Sequence, residues 1–257
     1  MYQGRYFTRS QRNVCGDYMD GDIYPVYQPA GKRRKKCKPT SEVQERLNQR
    51  NAAKHLTRLV RKNFTEADLA LHLTYRDDTA PETVEQAQKD LANYIRRLKR
   101  RYKKMGLELK YIACTEYGKK RGRCHHHLMV SGGVDRDMLE QVWGKGFANS
   151  KRLQFEEDGM AALSRYMVKD SAFYKRWNGS RNLEQPEAEI KDNEFNMGDV
   201  EEMRDAIETG NAHAYFEALY PGWELIDASC TQNGVNRGWY ISFEMRRKRS
   251  GAKQARR

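Results

Sequence analysis

The sequence has no apolar run near eighteen residues, the length at which a stretch becomes a candidate membrane-spanning helix. It also has no signal-like amino terminus, so we predict a chain that neither spans nor crosses a membrane. Cysteine is scarce: the five cysteines, at positions 15, 37, 114, 124 and 230, form no Cys-x-x-Cys pair. This predicts a reduced cytoplasmic protein without a disulfide framework or a zinc ribbon, although Cys114 and Cys124 could join a zinc site with histidine.

Acidic residues are outnumbered, with 35 Asp and Glu against 48 Lys and Arg, for a net charge of +13. The imbalance is clustered. Residues 1–62 hold 15 bases against 5 acids and residues 246–257 hold seven bases and no acid, whereas residues 184–208 hold ten acids against two bases. Clustered positive charge predicts a polyanionic partner, and nucleic acid is the natural one. The basic run 32–38 fits a solvated segment and a contact to a phosphate backbone equally well.

Residues 110–131 carry the clearest chemical pattern in the sequence. Two apolar, strand-like halves flank a basic loop that is bounded by glycines, which predicts a β-hairpin. Residues two apart in a strand share a face, so His125 and His127 point one way, whereas His126 points to the apolar side. Glu116 ends the preceding strand and can present a carboxylate to the face of the two histidines.

Two imidazoles and a carboxylate leave coordination positions open, which suits a divalent ion that must also hold a substrate oxygen. A histidine triplet is more often a solvent-exposed polar run, but this one opens an apolar strand and holds three of the six histidines. Carboxylate with imidazole suits Mn²⁺, and Mg²⁺ is the abundant alternative. We therefore predict a site for Mg²⁺ or Mn²⁺ at Glu116, His125 and His127.

The order of elements in the middle of the chain indicates the fold class. Periodicity predicts, in order, a strand at 66–75, a helix from Pro81 to about Lys104, the hairpin, a helix from Asp135 to about Trp143, a strand around Arg152 to Phe155, and a helix from Asp158 to Asp170. Strand, helix, strand, strand, helix, strand implies an α+β fold of the ferredoxin-like kind, an antiparallel sheet with helices on one face.

The flanking regions are predicted separately. Residues 2–28 read as one or two short strands with turns at Gly16 and Gly21, and a basic amphipathic helix follows to about residue 62. Its apolar stripe includes His55, and its basic face includes Arg61. Beyond an irregular connector at 177–193, we predict helices at 199–209 and 211–219, then strands at 224–231 and 239–245 that are joined by Asn233-Gly234. The chain thus divides into 1–62, 63–175 and 176–257, the last with a basic tail.

Several of these motifs resemble one superfamily. His125-His126-His127 before an apolar strand is similar to the His-hydrophobic-His signature of the HUH endonucleases, with a histidine as the middle residue. Glu116 lies where replication initiators of this superfamily carry their third ligand. Tyr166-Met-Val-Lys169 resembles the Tyr-x-x-Lys nucleophile motif of single-tyrosine members, and Leu71-His-Leu-Thr-Tyr75 resembles their first motif. The chain therefore resembles the rolling-circle replication-associated proteins of bacterial plasmids and small phages.

The resemblance implies a metal-dependent DNA nickase and strand transferase. Residues 63–175 would be the HUH nicking domain, with N- and C-terminal additions. Tyr166 would form a 5′-phosphotyrosine with help from Lys169, and the neighbouring Tyr174 is interpreted as structural. The implied partners are single-stranded DNA at a replication origin and a host helicase and polymerase in the bacterial cytoplasm. Consistent with a separate helicase, the sequence has no Gly-x-x-x-x-Gly-Lys-Ser/Thr loop.

Basic residues around these motifs are predicted to bind DNA, together with one threonine. They are Thr74, Arg96, Arg97, Arg100, Arg101, Lys119, Lys120, Arg121, Arg123 and Lys145. Three other functions fit parts of the pattern. They are a single-tyrosine HUH transposase, a non-catalytic nucleic-acid-binding sheet, which needs exposed strand aromatics, and a metal-dependent hydrolase without a covalent step.

Overall fold

The computed structural model describes residues 5–28, 42–118, 122–155, 177–232 and 237–248. The chain divides into two compact units, one formed by Thr40–Gln185 and the other by Met1–Pro39 with Pro186–Arg257. Each unit holds a five-stranded sheet whose strand pairs are antiparallel, with helices packed against it, so the predicted α+β class is confirmed. The units cut the chain elsewhere than our division at residues 62 and 175, because the two ends of the chain pair in one sheet.

The described elements follow each other in a simple order. They are β1 (Arg5–Cys15), β2 (Tyr18–Gln28), α1 (Glu42–Asn63), β3 (Leu69–Thr74), α2 (Val84–Lys104), β4 (Tyr111–Tyr117), β5 (Cys124–Val130), α3 (Arg136–Trp143), β6 (Ala148–Arg152), β7 (Asn178–Gly179), β8 (Ala188–Asp192), α4 (Met197–Glu208), α5 (Ala212–Leu219), β9 (Trp223–Gln232) and β10 (Trp239–Arg247). None of the helices in these ranges is long and apolar enough to cross a membrane.

The sheet of the 40–185 unit has the strand order β6-β3-β5-β4-β7. Its elements β3, α2, β4, β5, α3 and β6 reproduce the predicted strand and helix order. The leucines of β3 and β5 alternate onto one face and pack there against Leu91, Tyr94 and Leu98 of α2 and Trp143 of α3. Strand β6 begins and ends earlier than we predicted, because residues 148–152 are the ones that pair with β3.

The opposite face of this sheet packs against α1. Leu56 and Val60 of α1 lie in one buried cluster with Cys114 of β4 and Met129 of β5. Two details of the predicted helix are wrong. His55, which we assigned to the apolar stripe, is exposed, whereas Arg61, which we assigned to the basic face, is buried.

Local sequence explains where α2 and α3 begin and end. The Thr83 hydroxyl accepts a hydrogen bond from Gln86 N at the start of α2, and the Asp135 carboxylate accepts one from Asp137 N at the start of α3. Gly144 ends α3 in the left-handed region at φ 69°. At Gly146 a Cβ would lie 2.3 Å from Thr74 O, so only glycine lets this loop run against the end of β3.

In the second unit the strand order is β8-β1-β2-β10-β9, and α4 and α5 share a buried cluster with β2, β9 and β10. Gly21 is not a turn, contrary to the prediction. It lies within β2, where an added Cβ would come within 2.2 Å of Phe243 Cζ. The predicted connector at 177–193 contains β7 and β8, and β8 pairs with β1. The predicted turn at Asn233-Gly234 and the helix at 158–170 lie outside the described residues.

Candidate metal centre

The hairpin forms as predicted and brings the three predicted ligands together. Glu116 on β4 stands directly opposite His125 on β5, and Cys114 stands opposite His127. Glu116 Oε2 lies 3.5 Å from His125 Nε2 and 4.0 Å from His127 Nε2. Only 12 % of the Glu116 side chain is exposed, against 17 % for His125 and 21 % for His127, so the polar groups meet in a largely shielded place.

A fourth residue, His72 on β3, joins them. It is the cross-strand partner of His127, and the two rings stack with centroids 4.7 Å apart. The ring nitrogens of His72, His125 and His127 lie within 4.8 Å of one another and can hold a metal ion. The motif from Leu71 to Tyr75 contains this residue, but we did not predict it as a ligand. Alternation gave a partial signal, since His72 alternates with buried leucines and must point away from them.

The electrostatics of the site differ between the histidines. The hydrogen bond to Glu116 raises the pKa of His125 above the usual value of a histidine. Burial lowers the pKa of His72, and it lowers that of His127 to about 4. His125 Nδ1 lies 3.2 Å from the carbonyl oxygen of Arg123, which can only accept, so this nitrogen carries the proton. That leaves Nε2 of His125 directed at the centre of the site, the arrangement that metal-binding histidines use.

The donor set fits a divalent ion. Three imidazole nitrogens and one carboxylate oxygen converge from three adjacent strands, and two of the imidazoles are held neutral, which is the form that binds a metal. Whether each residue is a ligand stays a prediction.

Metal affinity is expected to fall as the pH falls, because the ion must displace a proton from His125. A raised pKa at that one residue gives a loss of about tenfold per pH unit below the pKa and a plateau above it. Titration calorimetry with Mn²⁺ between pH 6 and 8 measures this dependence. Affinity that is independent of pH over that range would contradict the assignment of His125 as a ligand.

The histidines open onto a cleft of about 640 Å³. Among its lining residues are two predicted DNA contacts, Thr74 and Arg123. The Arg123 guanidinium lies 2.8 Å from Asp77 Oδ1, and both side chains are exposed at the rim. Thr74 Oγ1 donates to Phe147 O, so its hydroxyl is partly used within the fold.

Other predicted DNA contacts lie elsewhere. Lys145 Nζ forms an ion pair with the buried Asp90 at 3.1 Å. Arg97 donates to the carbonyl oxygens of Val142 and Trp143 at the end of α3. These interactions give both cations a structural explanation.

The remaining arginines of α2 are exposed but distant from the cleft. Arg96, Arg100 and Arg101 are exposed on a helix that covers the sheet face opposite to His72, His125 and His127. At about 1.5 Å per residue, Arg100 lies about 24 Å along the helix from Val84.

Several predicted residues fall outside the described ranges. The predicted nucleophile Tyr166 and its neighbour Lys169 are among them, as are Tyr174 and the hairpin-loop residues Lys119, Lys120 and Arg121. Their roles therefore stay predictions. The basic run 32–38 also lies outside the described residues.

Comparison with known families places this site in a replication context. A family model of replication-associated proteins, the ORF2 family, matches residues 68–171, which include β3, the hairpin and α3. The match supports a replication-associated protein with DNA as its partner. No curated protein and no solved structure gives a significant match.

Proposed function

We propose that the protein initiates rolling-circle replication by nicking and rejoining single-stranded DNA at an origin, in the manner of the HUH endonucleases. The observation that carries this proposal is the convergence of Glu116, His72, His125 and His127 on one face of the sheet, inside the segment that resembles replication-associated proteins. The cleft beside them is open enough to admit a nucleotide strand.

The proposed chemistry is a transesterification. The phenolic oxygen of Tyr166 attacks phosphorus, the bond from phosphorus to the 3′-oxygen breaks, and that oxygen leaves as a 3′-hydroxyl after taking up a proton. One phosphodiester is exchanged for another, so the reverse reaction rejoins strands without ATP. A divalent ion at the site would withdraw negative charge from the non-bridging oxygens and fix the phosphate for attack.

The residues of the chain would divide the remaining work. Lys169, one helical turn after Tyr166, would stabilise the phenolate or the phosphate as a point cation. Glu116 and the histidines would orient the phosphate group. Since three nitrogens outnumber the carboxylate, we infer Mn²⁺ rather than Mg²⁺ as the preferred ion, because Mg²⁺ favours oxygen ligands.

The test is incubation with a labelled single-stranded DNA library and Mn²⁺, followed by a denaturing gel with and without a chelator. A protein–DNA adduct that forms only with the ion supports the proposal. Cleavage without an adduct indicates the hydrolase instead. Binding without cleavage indicates a non-catalytic nucleic-acid-binding domain.

The arginines of α2 are expected to contribute affinity rather than chemistry. Because they lie away from the cleft, replacing Arg96, Arg100 and Arg101 by Gln should leave the nicking rate of a short saturating oligonucleotide unchanged. The log–log salt dependence of binding to a long single strand should flatten by about 0.7 for each phosphate that the variant no longer neutralises. Arg204→Gln, on the acidic helix α4 where Asp205 pairs with it, is the control and should change neither quantity. An unchanged slope in the α2 variant would show that this surface is only solvated.

A further inference from the structure

The middle histidine of the triplet, His126, is fully buried on the side of β5 away from the metal site. In the signature that the triplet resembles, this position is apolar. Here both ring nitrogens contact hydroxyl groups. Thr115 Oγ1 lies 2.8 Å from Nδ1, and the Tyr75 hydroxyl lies 2.8 Å from Nε2. A neutral imidazole has one donor and one acceptor, and a hydroxyl can play either part, so both contacts are hydrogen bonds.

These hydrogen bonds link the three strands that carry the metal-site residues. Thr115 on β4 precedes Glu116, His126 on β5 separates His125 from His127, and Tyr75 directly follows β3, which carries His72. Since neighbouring residues in a strand point to opposite faces, each hydrogen bond beneath the sheet fixes a side chain above it.

Aromatic packing restricts the network further. The Trp143 ring lies 5.1 Å from the Tyr75 ring and 5.6 Å from His126. Trp143 Nε1 donates to Thr74 O at 2.6 Å, so the segment that leads into Tyr75 is itself anchored. The His126 ring therefore has one position available, with its polar atoms satisfied in an otherwise apolar layer.

We propose that Tyr75, Thr115 and His126 are positioning residues that set the spacing of Glu116 and the three histidines above them. An apolar residue at position 126 would fill the space but would not hydrogen-bond β5 to β4 and to the end of β3. The inference depends on the metal site of the proposed function. Supporting hydrogen bonds of this kind are worth about 10- to 100-fold in metal affinity.

Tyr75→Phe tests the proposal, since it removes one oxygen and keeps the ring against Trp143. The Kd for Mn²⁺, measured by titration calorimetry, should rise by about 10- to 100-fold. The electron paramagnetic resonance spectrum of bound Mn²⁺ should also change, which weaker packing alone would not produce. Thr115→Val, which has nearly the same shape, should act in the same direction and serves if Tyr75→Phe does not fold.

Tyr94→Phe is the matched control. This buried tyrosine also lies against Trp143, but its hydroxyl donates to Leu139 O at 2.9 Å and does not contact His126. Its Mn²⁺ affinity should equal that of the wild type, even where thermal stability falls. Wild-type affinity in Tyr75→Phe and Thr115→Val would overturn the positioning role alone. A wild-type protein that binds no ion would overturn the metal site as well.

Discussion

Tyr166→Phe is expected to abolish covalent attachment to DNA while leaving the protein folded and able to bind the metal ion. Phe keeps the aromatic ring and removes only the hydroxyl that would attack phosphorus. The phenol has a reference pKa of about 10, so attack also requires a cation that stabilises the forming phenolate. Lys169→Ala should therefore slow adduct formation without changing metal affinity. Denaturing gels of protein with labelled, cleaved single-stranded DNA measure both effects.

Peptide mass mapping of the adduct identifies the bonded residue independently of mutagenesis. Tyr174→Phe is the matched control, since it removes a hydroxyl only eight residues away and should leave the adduct intact. A nucleotide on Tyr174, or an adduct that persists in Tyr166→Phe, would show that the motif was assigned to the wrong tyrosine.

The local part of the candidate site could be predicted from the sequence. Seven residues of β5 contain the alternation that separates His125 and His127 from His126, and a short loop forces β4 to lie beside them. Both facts depend only on strand geometry and near neighbours in the chain. The caps of α2 and α3 are similarly local, and those helices were predicted to within a few residues of their observed ends.

The place of His72 in the site could not be predicted because it depends on pairing over 55 positions. Alternation sets the face of β3 on which His72 lies, but it joins the site only since β3 pairs with β5 in the register that sets it opposite His127. The pairing of β1 with β8 and of β2 with β10 is long-range in the same way. Charge composition was a weak guide for the same reason, because an Asp90 beneath Lys145 or a carbonyl beside Arg97 is visible only in three dimensions.

His127→Ala is expected to remove metal binding and, with it, metal-dependent cleavage. The side chain lies between His72 and Glu116, so the substitution removes one of four donors from the middle of the set. A direct donor contributes more than a supporting hydrogen bond does, and we expect the Kd for Mn²⁺ to rise by more than about 100-fold. Titration calorimetry and the gel assay, on protein shown to be folded by circular dichroism, measure the two effects.

His72→Ala separates the four-residue site of the structure from the three-residue site that the sequence predicts. If the ion needs all three imidazoles, His72→Ala should weaken Mn²⁺ binding as His127→Ala does, whereas a site made of Glu116, His125 and His127 alone would keep it. His213→Ala is the control, since that histidine is exposed on α5 beside Glu217 and should leave binding unchanged. Retention of the ion in His127→Ala would show that the face of β5 has been misassigned as the metal-binding one.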